Sequence, residues 1–188
     1  MKSIELAPGI FLYKNVFNNI YLNIINNKNI HWSNEYVKDI KSGNTKLEYS
    51  ERNVLSFDVP ILTSNKEDDY INFFSNEFKK IFSPIEKDYC EKMCIELKSH
   101  FPYKVLKYEK GGEFDLHMDD GGGTFRRAST IFYLNDDYLG GELFFPDFNV
   151  KIKPDAGDFL IFPSSYAYKH KVFPVIEGTR YAIASWLR

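Results

Sequence analysis

Short β-forming runs separated by turn residues fill the second half of the sequence, and this alternation constrains the fold more than any other feature. From Lys104 onward, segments rich in β-branched and aromatic residues alternate with Gly, Asp, Asn and Pro. Short strands at such spacing predict a sandwich, a barrel or a jelly roll. The predicted strands are Val105–Tyr108, Phe114–Met118, Ser129–Leu134, Leu143–Phe145, Val150–Ile152, Phe159–Phe162, Tyr168–Phe173 and Arg180–Trp186.

The first half of the chain has helical patterns instead. Apolar residues from Val16 to Ile24 recur at steps of three and four, which predicts a helix with one apolar stripe. Trp32–Ile40 predicts a short second helix. Asp68–Leu97 predicts a further helical stretch, which Pro84 should divide in two because proline lacks the backbone donor that a helix interior needs.

Extended and polar segments complete the first half. Gly9–Tyr13 and Asn53–Val59 predict strands at a sheet edge, and the polar segment Lys41–Arg52 predicts a surface loop. Helices packed against one side of an eight-stranded β-core are therefore the expected architecture. We expect one domain over residues 1–188, with helical support and edge strands in 1–100 and the β-core in 101–188.

Composition supports a packed domain and gives no sign of a strong polyanion-binding surface. The chain has 188 residues, 44% of them hydrophobic and 17% aromatic, which is enough for one domain with a real core. The formal net charge is −2. Such a balance gives no reason to expect a strong attraction to nucleic acid or to an anionic membrane.

The two cysteines and the N-terminus indicate the compartment. Cys90 and Cys94 stand four apart in a predicted helix, and we interpret them as buried thiols in a reducing compartment. The segment Met1–Glu5 lacks the long apolar run of a signal peptide, and no stretch approaches the length of a membrane span. The expectation is an intracellular, soluble, cytoplasmic protein.

His117 and Asp119 form a candidate metal-binding pair. They stand two apart in a predicted strand, where residues i and i+2 point to the same side. Non-haem iron that activates O₂ is held by two imidazoles and one carboxylate on one face, with open positions on the other. By itself the pair also fits a surface histidine beside an aspartate in a turn, which is the commoner occurrence.

A third ligand and a cation follow in later strands. His170 lies in one predicted strand and Arg180 in the next, with Pro174–Gly178 between them as a plausible hairpin loop. The hairpin would bring Arg180 alongside His170, where a guanidinium makes a bidentate clamp for a carboxylate. That arrangement suits a dicarboxylate whose other end chelates the metal. An exposed strand residue is the alternative for Arg180.

The order and spacing of these residues resemble the Fe(II)/2-oxoglutarate-dependent dioxygenases of the prolyl 4-hydroxylase type. The resemblance covers about Val105 to Leu187, and so all of the predicted β-core. It rests on several spacings that agree together, and on three similar segments, Arg127–Asn135, Gly140–Pro146 and Pro154–Phe162. The matching positions are Tyr108, His117, Asp119, Tyr133, Gly140, Gly141, Glu142, Leu143, His170 and Arg180.

The resemblance implies both a fold and an activity. The fold is α+β but mainly β, a double-stranded β-helix (jelly-roll) core with N-terminal helices packed on one face. The activity couples oxidative decarboxylation of 2-oxoglutarate to succinate with C–H hydroxylation, most directly of a peptidyl proline. Fe(II) is the implied cofactor, with 2-oxoglutarate and O₂ as co-substrates and ascorbate as a candidate reductant.

It also implies roles for single residues. His117, Asp119 and His170 would hold the iron, and Arg180 would fix the distal carboxylate of 2-oxoglutarate. Further co-substrate contacts would come from two phenols and an apolar wall, namely Tyr108, Tyr133 and Leu143. Arg127 and Trp186 would lie near the substrate groove. For the aromatic residues among them, ordinary core packing is the alternative.

Two absences favour this branch of the superfamily. Nucleic-acid demethylases of the AlkB type carry a second arginine where this chain has Trp186, and oxidases resembling isopenicillin N synthase have serine where it has Ala182. The prolyl hydroxylase branch often uses lysine at the position of Arg180, so the subgroup stays open.

Other functions remain open at this point. The same chemistry could act on a free amino acid, a nucleotide or a glycan, and a non-catalytic jelly-roll binding module is an alternative from another class. We expect a peptide or protein substrate, and neither a nucleic acid nor a membrane partner. The sequence does not predict an oligomeric state. The loops Lys41–Arg52 and Asp120–Arg126 are candidates for a lid over the site.

Overall fold

The computed structural model describes residues 2–17, 32–34, 52–59, 69–98, 102–121 and 123–188. Within these ranges the chain forms one long helix, α1 (Asp69–Met93), and a set of mainly short strands. The strands are β1 (Ser3–Ala7), β2 (Ile10–Tyr13), β3 (Ser33–Asn34), β4 (Leu55–Val59), β5 (Tyr103–Tyr108), β6 (Phe114–His117), β7 (Ala128–Tyr133), β8 (Leu139–Gly140), β9 (Leu143–Phe145), β10 (Val150–Ile152), β11 (Phe159–Pro163), β12 (His170–Val172), β13 (Val175–Glu177) and β14 (Arg180–Leu187).

Two antiparallel sheets make the β-core, and a two-stranded ribbon stands beside them. The larger sheet has the order β1-β2-β11-β7-β14-β5-β4-β3, the smaller sheet has the order β10-β9-β12-β6, and the ribbon pairs β13 with β8. This mainly β architecture confirms the predicted fold class. All eight strands predicted in the second half are present, whereas β1, β3, β8 and β13 were not predicted.

The larger sheet is covered on both faces, and alternation along each strand sorts its residues. In β11, Phe159 and Ile161 join the cluster that includes α1, whereas Leu160 and Phe162 join the cluster between the two sheets. This is the two-residue period expected of a strand. The second cluster draws residues from both sheets and leads directly to the site described below.

Helix α1 covers the outer face of the larger sheet. Phe78, Phe82, Ile85 and Tyr89 recur at steps of four, three and four, and all are buried against the sheet. Phe82 stacks on Tyr103, with ring centroids 5.2 Å apart. The predicted helical stretch Asp68–Leu97 is confirmed over Asp69–Met93.

Pro84 does not divide this helix, contrary to the expectation. The helix runs from Asp69 to Met93 with Pro84 inside it. The apolar residues before and after the proline pack on the same sheet, and we infer that this shared packing outweighs the backbone hydrogen bond lost at the proline.

The helices predicted nearer the N-terminus fare differently. Val16 and Phe17 are not helical, because the Val16 amide donates to the carbonyl of Gly157 and Phe17 stacks on Phe132 at 3.7 Å. The rest of that predicted helix lies outside the described residues. The second predicted helix, Trp32–Ile40, is wrong at its start, where Ser33 and Asn34 form β3, and its remainder is also outside them. Of the predicted loop Lys41–Arg52, only its last residue is described.

The cysteines are less buried than expected. Cys90 is partly buried on α1, whereas Cys94 is exposed and lies beyond the end of the helix with a positive φ of 52°. The prediction of two buried thiols on one helical face is therefore wrong for Cys94. In the described ranges, no helix combines the length and the apolar character that crossing a membrane requires.

Candidate metal and co-substrate site

Strands β6 and β12 place two histidines side by side. His117 ends β6 and His170 begins β12, and they are direct neighbours across the two strands, with ring centroids 4.3 Å apart. The next paired residues are Val172 of β12 and Phe114 of β6. Val172 lies two residues after His170, whereas Phe114 lies three residues before His117. Strand β6 therefore carries a β-bulge, which turns Phe114 and His117 toward the same side.

Asp119 completes a cluster with these histidines. Its Oδ1 lies 3.5 Å from His117 Nε2, and its Oδ2 lies 3.7 Å from His170 Nε2. One ligand atom from each residue lies within 4.8 Å of the other two. Because metal–ligand bonds are about 2 Å long, ligands of one ion lie about 3–4 Å apart. The three side chains therefore fit a single metal ion.

Backbone carbonyls fix the tautomer of both imidazoles. The Nδ1 of His117 lies 2.7 Å from the carbonyl oxygen of Asp115, and the Nδ1 of His170 lies 3.1 Å from that of Tyr168. A carbonyl oxygen only accepts hydrogen bonds, so each Nδ1 is the donor. In the neutral rings Nε2 then keeps its lone pair and faces Asp119, as a metal-binding histidine requires.

The charge states also suit a metal ion. Burial alone would raise the pKa of Asp119, but the imidazoles of His170 and His117 hold that pKa well below its usual range. Burial lowers the pKa of His170 to about 4, although the Asp119 carboxylate opposes this effect. At neutral pH the carboxylate is therefore ionised and His170 is neutral, so neither group has to lose a proton before it binds a metal.

Arg180 is a buried cation without an acidic partner among the described residues. It is 1% exposed, and its guanidinium carbon lies 4.7 Å from the ring of Tyr108 and 5.2 Å from that of Tyr133. Within the part of the chain that the structure describes, its Nε and Nη1 have no hydrogen-bond partner of ordinary distance and angle, and neither do the nearby hydroxyls of Tyr133 and Tyr138. Burial raises the pKa of both tyrosines, so these phenols are neutral. A buried charge needs compensation, so this corner fits an anion.

The predicted hairpin between His170 and Arg180 is wrong. The intervening segment contains β13, which pairs with β8 in the separate ribbon. Arg180 then enters the larger sheet opposite Tyr108 of β5, whereas His170 belongs to the smaller sheet. The two residues face one pocket from opposite sheets because the chain changes sheet between them.

One open pocket joins the histidine cluster and the arginine. About 440 Å³ of space lies within it, part of which is open to solvent. Both sheets contribute to its walls. The lining residues are Arg52, Leu106, Tyr108, Phe114, His117, Asp119, Thr130, Ile131, Leu143, His170, Val172, Arg180, Ala184 and Trp186.

Of the remaining predicted site residues, some line the pocket and others do not. Tyr108, Leu143 and Trp186 line the pocket, and Tyr133 lies against Arg180 without being part of the lining. Arg127 is exposed and outside the lining, so the structure does not bring it together with the others.

Arg126, the neighbour of Arg127, lies beside the site instead. Its guanidinium carbon is 3.9 Å from the ring of Trp186, and its Nη1 donates to the backbone carbonyl of Asp119 at 3.1 Å. The two arginines are adjacent in the sequence, and no local pattern distinguishes them.

Among the site residues that sequence reasoning did not assign are Arg52, Phe114 and Tyr138, and it named Gly141 only as a position of the resemblance. Gly141 has a φ of +65°, and a Cβ there would lie 3.1 Å from Arg180 Cδ and from Tyr138 Cε2. The paired glycines before Glu142 were a usable signal for such close packing. Arg52 gave no local signal, because its contact with Phe114 spans distant parts of the chain.

A jelly-roll core that carries a two-histidine, one-carboxylate cluster beside a buried arginine has the ligand set that suits a non-haem metal ion. Solved structures with this fold include a prolyl hydroxylase in complex with a hypoxia-inducible factor peptide fragment from Trichoplax adhaerens. It has a TM-score of 0.71 at 21% identity, over 95% of this chain and 83% of that one. The viral collagen prolyl hydroxylase of Paramecium bursaria Chlorella virus-1, in a 2OG complex, has a TM-score of 0.61 at 22% identity, over 96% and 95%. At these identities the likeness concerns the fold.

Sequence comparison relates the second half of the chain to a known family. Residues 103–188 match the 2OG-Fe(II) oxygenase superfamily. A PKHD-type hydroxylase of Pseudomonas aeruginosa is 34% identical over 127 residues, 55% of each chain. Human prolyl 3-hydroxylase 3 is 38% identical over 109 residues, 55% of this chain and 14% of that one. Residues 103–188 therefore resemble the 2OG-Fe(II) oxygenase superfamily, and the similar proteins are named as hydroxylases, several of them prolyl hydroxylases. The chain spans about half the length of its bacterial relatives, or less.

Proposed function

We propose that this chain is an Fe(II)- and 2-oxoglutarate-dependent dioxygenase that hydroxylates a C–H bond of a peptidyl proline. One observation carries the proposal: a single pocket is lined on one sheet by the His117, Asp119 and His170 cluster and on the other by the buried Arg180. The two ends of 2-oxoglutarate, a chelating keto acid and a second carboxylate, correspond to these two features.

Each part of the pocket has its own task in this proposal. His117, Asp119 and His170 would hold the iron, which supplies the oxidative chemistry when 2-oxoglutarate and O₂ are bound. Arg180 would donate hydrogen bonds from its unpaired Nε and Nη1 to the distal carboxylate. The buried wall that includes Leu143 would exclude water from the reacting atoms.

The hydroxyls of Tyr133 and Tyr138 are the remaining polar groups near that carboxylate. Both are buried, and among the described residues neither has a hydrogen-bond partner of ordinary distance and angle. A neutral phenol can donate one hydrogen bond to a carboxylate oxygen. We therefore infer that the two hydroxyls complete the co-substrate contacts, with Tyr108 packed against the guanidinium.

A peptidyl proline substrate is supported by the relatives. The names of the similar proteins include a PKHD-type hydroxylase, prolyl 3-hydroxylases and a prolyl hydroxylase that holds a peptide. One relative is named as a prolyl 3-hydroxylase and one structure of similar fold as a prolyl-4-hydroxylase of Pseudomonas putida, so the proposal specifies proline and not the carbon. Ascorbate is the proposed reductant.

We also propose that residues 1–188 act as one domain, because Arg52 from the first half of the chain lines the pocket that the second half forms.

The first test is joint binding of metal and co-substrate. Anaerobic addition of Fe(II) and 2-oxoglutarate should produce a visible charge-transfer band, and Asp119→Ala should abolish it. The matched control is Asp147→Ala, which removes an exposed aspartate from the turn between β9 and β10 and should retain the band. Wild-type protein without the band would refute the cofactor assignment.

The second test addresses turnover and substrate. With O₂ present, proline-containing peptides should gain one oxygen, measured by mass spectrometry, while succinate accumulates in equal amount. Succinate formation with oxygen gain only on free amino acids, nucleotides or glycans would overturn the peptidyl proline assignment but keep the chemistry. Binding without any succinate would favour a non-catalytic module.

A further inference from the structure

His117 and His170 are held in different ways. His170 is 4% exposed and lies among core rings, with Phe162 at 4.9 Å and Phe145 at 5.5 Å. The side chain of His117 is 20% exposed, and it lies on β6, the edge strand of the smaller sheet. Each ring makes an Nδ1 hydrogen bond to a backbone carbonyl. Beyond that bond, core packing restrains the plane of His170, whereas the plane of the more exposed His117 depends on other contacts.

Phe114 supplies a stacking surface for His117. The two rings lie 3.5 Å apart between centroids, with an angle of 22° between their planes. Residues three apart in a regular strand point to opposite faces. The bulge in β6 removes that restriction, and the contact depends on it.

Arg52 covers the other face of the same ring. Its guanidinium carbon lies 4.2 Å from the centroid of Phe114, and since His117 already occupies one face, the guanidinium must lie on the opposite one. The backbone holds this partner in place, because Arg52 forms a β-bridge with Phe114 and the amide of Asn53 donates to the carbonyl of Glu113. Guanidinium, phenyl and imidazole thus form a three-layer stack that ends at a metal ligand.

We propose that Arg52 and Phe114 are positioning residues that fix the plane of the His117 imidazole so that its Nε2 points at the metal. This inference rests on the proposed function. It assigns to residue 52, which lies outside the matched residues 103–188, a task at the metal centre. Residues that orient a metal ligand commonly change metal affinity by about 10- to 100-fold when removed.

Co(II) titration of the full chain, followed by visible absorption, tests the proposal without turnover. Phe114→Leu removes the ring and should weaken Co(II) binding roughly tenfold or more, with an altered absorption spectrum. Phe114→Tyr keeps the stack and should restore wild-type affinity. Arg52→Met removes only the guanidinium and should weaken binding about two- to fivefold, as expected for one cation–π contact at the lower end of the usual range.

Matched controls separate positioning from general stability. Phe144→Leu removes a half-buried ring from the same sheet outside the pocket, and Arg188→Met removes an exposed guanidinium at the C-terminus. Both should leave Co(II) affinity and spectrum unchanged. Thermal unfolding of each variant shows how far the fold is weakened.

The outcomes are distinguishable. Phe114→Leu with a lower Tm but unchanged Co(II) affinity and spectrum would overturn the inference and leave the proposed function standing. If Phe114→Leu does not fold, Arg52→Met decides, and wild-type affinity in that variant would equally overturn it. Wild-type protein that binds no Co(II) would overturn both the inference and the metal site.

Discussion

Replacing Arg180 with methionine should separate co-substrate binding from stability. Methionine keeps much of the apolar stem and removes a charge that is 1% exposed and has no acidic partner among the described residues. Removing an uncompensated buried ion stabilises a protein, whereas removing one partner of a buried charge pair weakens binding. We therefore expect Arg180→Met to be more stable than wild type alone, and to bind 2-oxoglutarate poorly.

The magnitudes follow from the surroundings of the guanidinium. Burying the Arg180 guanidinium costs about 5 kcal/mol of stability. Its cation–π contacts with the rings of Tyr108, at 4.7 Å, and Tyr133, at 5.2 Å, each offset about 1.5 kcal/mol of that cost. About 2 kcal/mol of net destabilisation remains, and its removal should raise the Tm by about 4–8 °C. Loss of the charge pair costs at least about 2 kcal/mol of binding, or roughly a 30-fold weaker affinity.

Thermal unfolding with and without 2-oxoglutarate, in the presence of Mn(II), measures both effects. Wild type should gain stability from the co-substrate, and Arg180→Met should gain almost none while starting from a higher Tm. Arg180→Lys keeps the charge and is the control, with no gain in stability alone. A methionine variant that is less stable than wild type and binds 2-oxoglutarate equally well would refute the reasoning.

Three further predictions concern pH, packing and the helix. Burial gives His170 a pKa of about 4 in the fold against an ordinary value of 6.5, so the unfolded chain binds more protons between these values. The free energy of unfolding of the metal-free protein should therefore decrease by up to about 3 kcal/mol as the pH falls from 6.5 to 4. Urea unfolding at several pH values checks this, and His170→Gln should flatten the dependence. Gly141→Ala should weaken 2-oxoglutarate binding in calorimetry, because its Cβ would displace Arg180 and its φ is +65°; unchanged affinity would contradict that packing. Phe82→Ala should lower the free energy of unfolding by about 3–5 kcal/mol and leave 2-oxoglutarate affinity unchanged, since Phe82 lies on the helix side of the larger sheet.

The β-core could be predicted because its signals are local. Each strand of the second half is a short β-forming run bounded by turn residues, and the spacing of His117 and Asp119 is set within one segment. The tautomers of the histidines could not be predicted, because they depend on the backbone carbonyls of Asp115 and Tyr168.

The misses have longer-range causes. The sequence predicts that Pro84 divides a helical stretch in two, but packing of residues on both sides of it against the sheet maintains α1. Strict alternation places Phe114 and His117 on opposite faces, and only the pairing with β12 reveals the bulge that brings them together. The sequence predicts one hairpin between His170 and Arg180. The structure differs because β13 pairs with β8, which lies more than thirty residues earlier in the chain, and no local pattern indicates that pairing.

The double covering of the larger sheet has a consequence for how this chain tolerates change. Phe159 and Leu160 are consecutive, yet one packs toward α1 and the other toward the space between the sheets. A saturation mutagenesis scan along β11 should therefore give effects that alternate from one residue to the next. Substitutions at Phe159 and Ile161 should reduce only the amount of folded protein, whereas those at Leu160 and Phe162 should also reduce catalytic turnover per folded molecule.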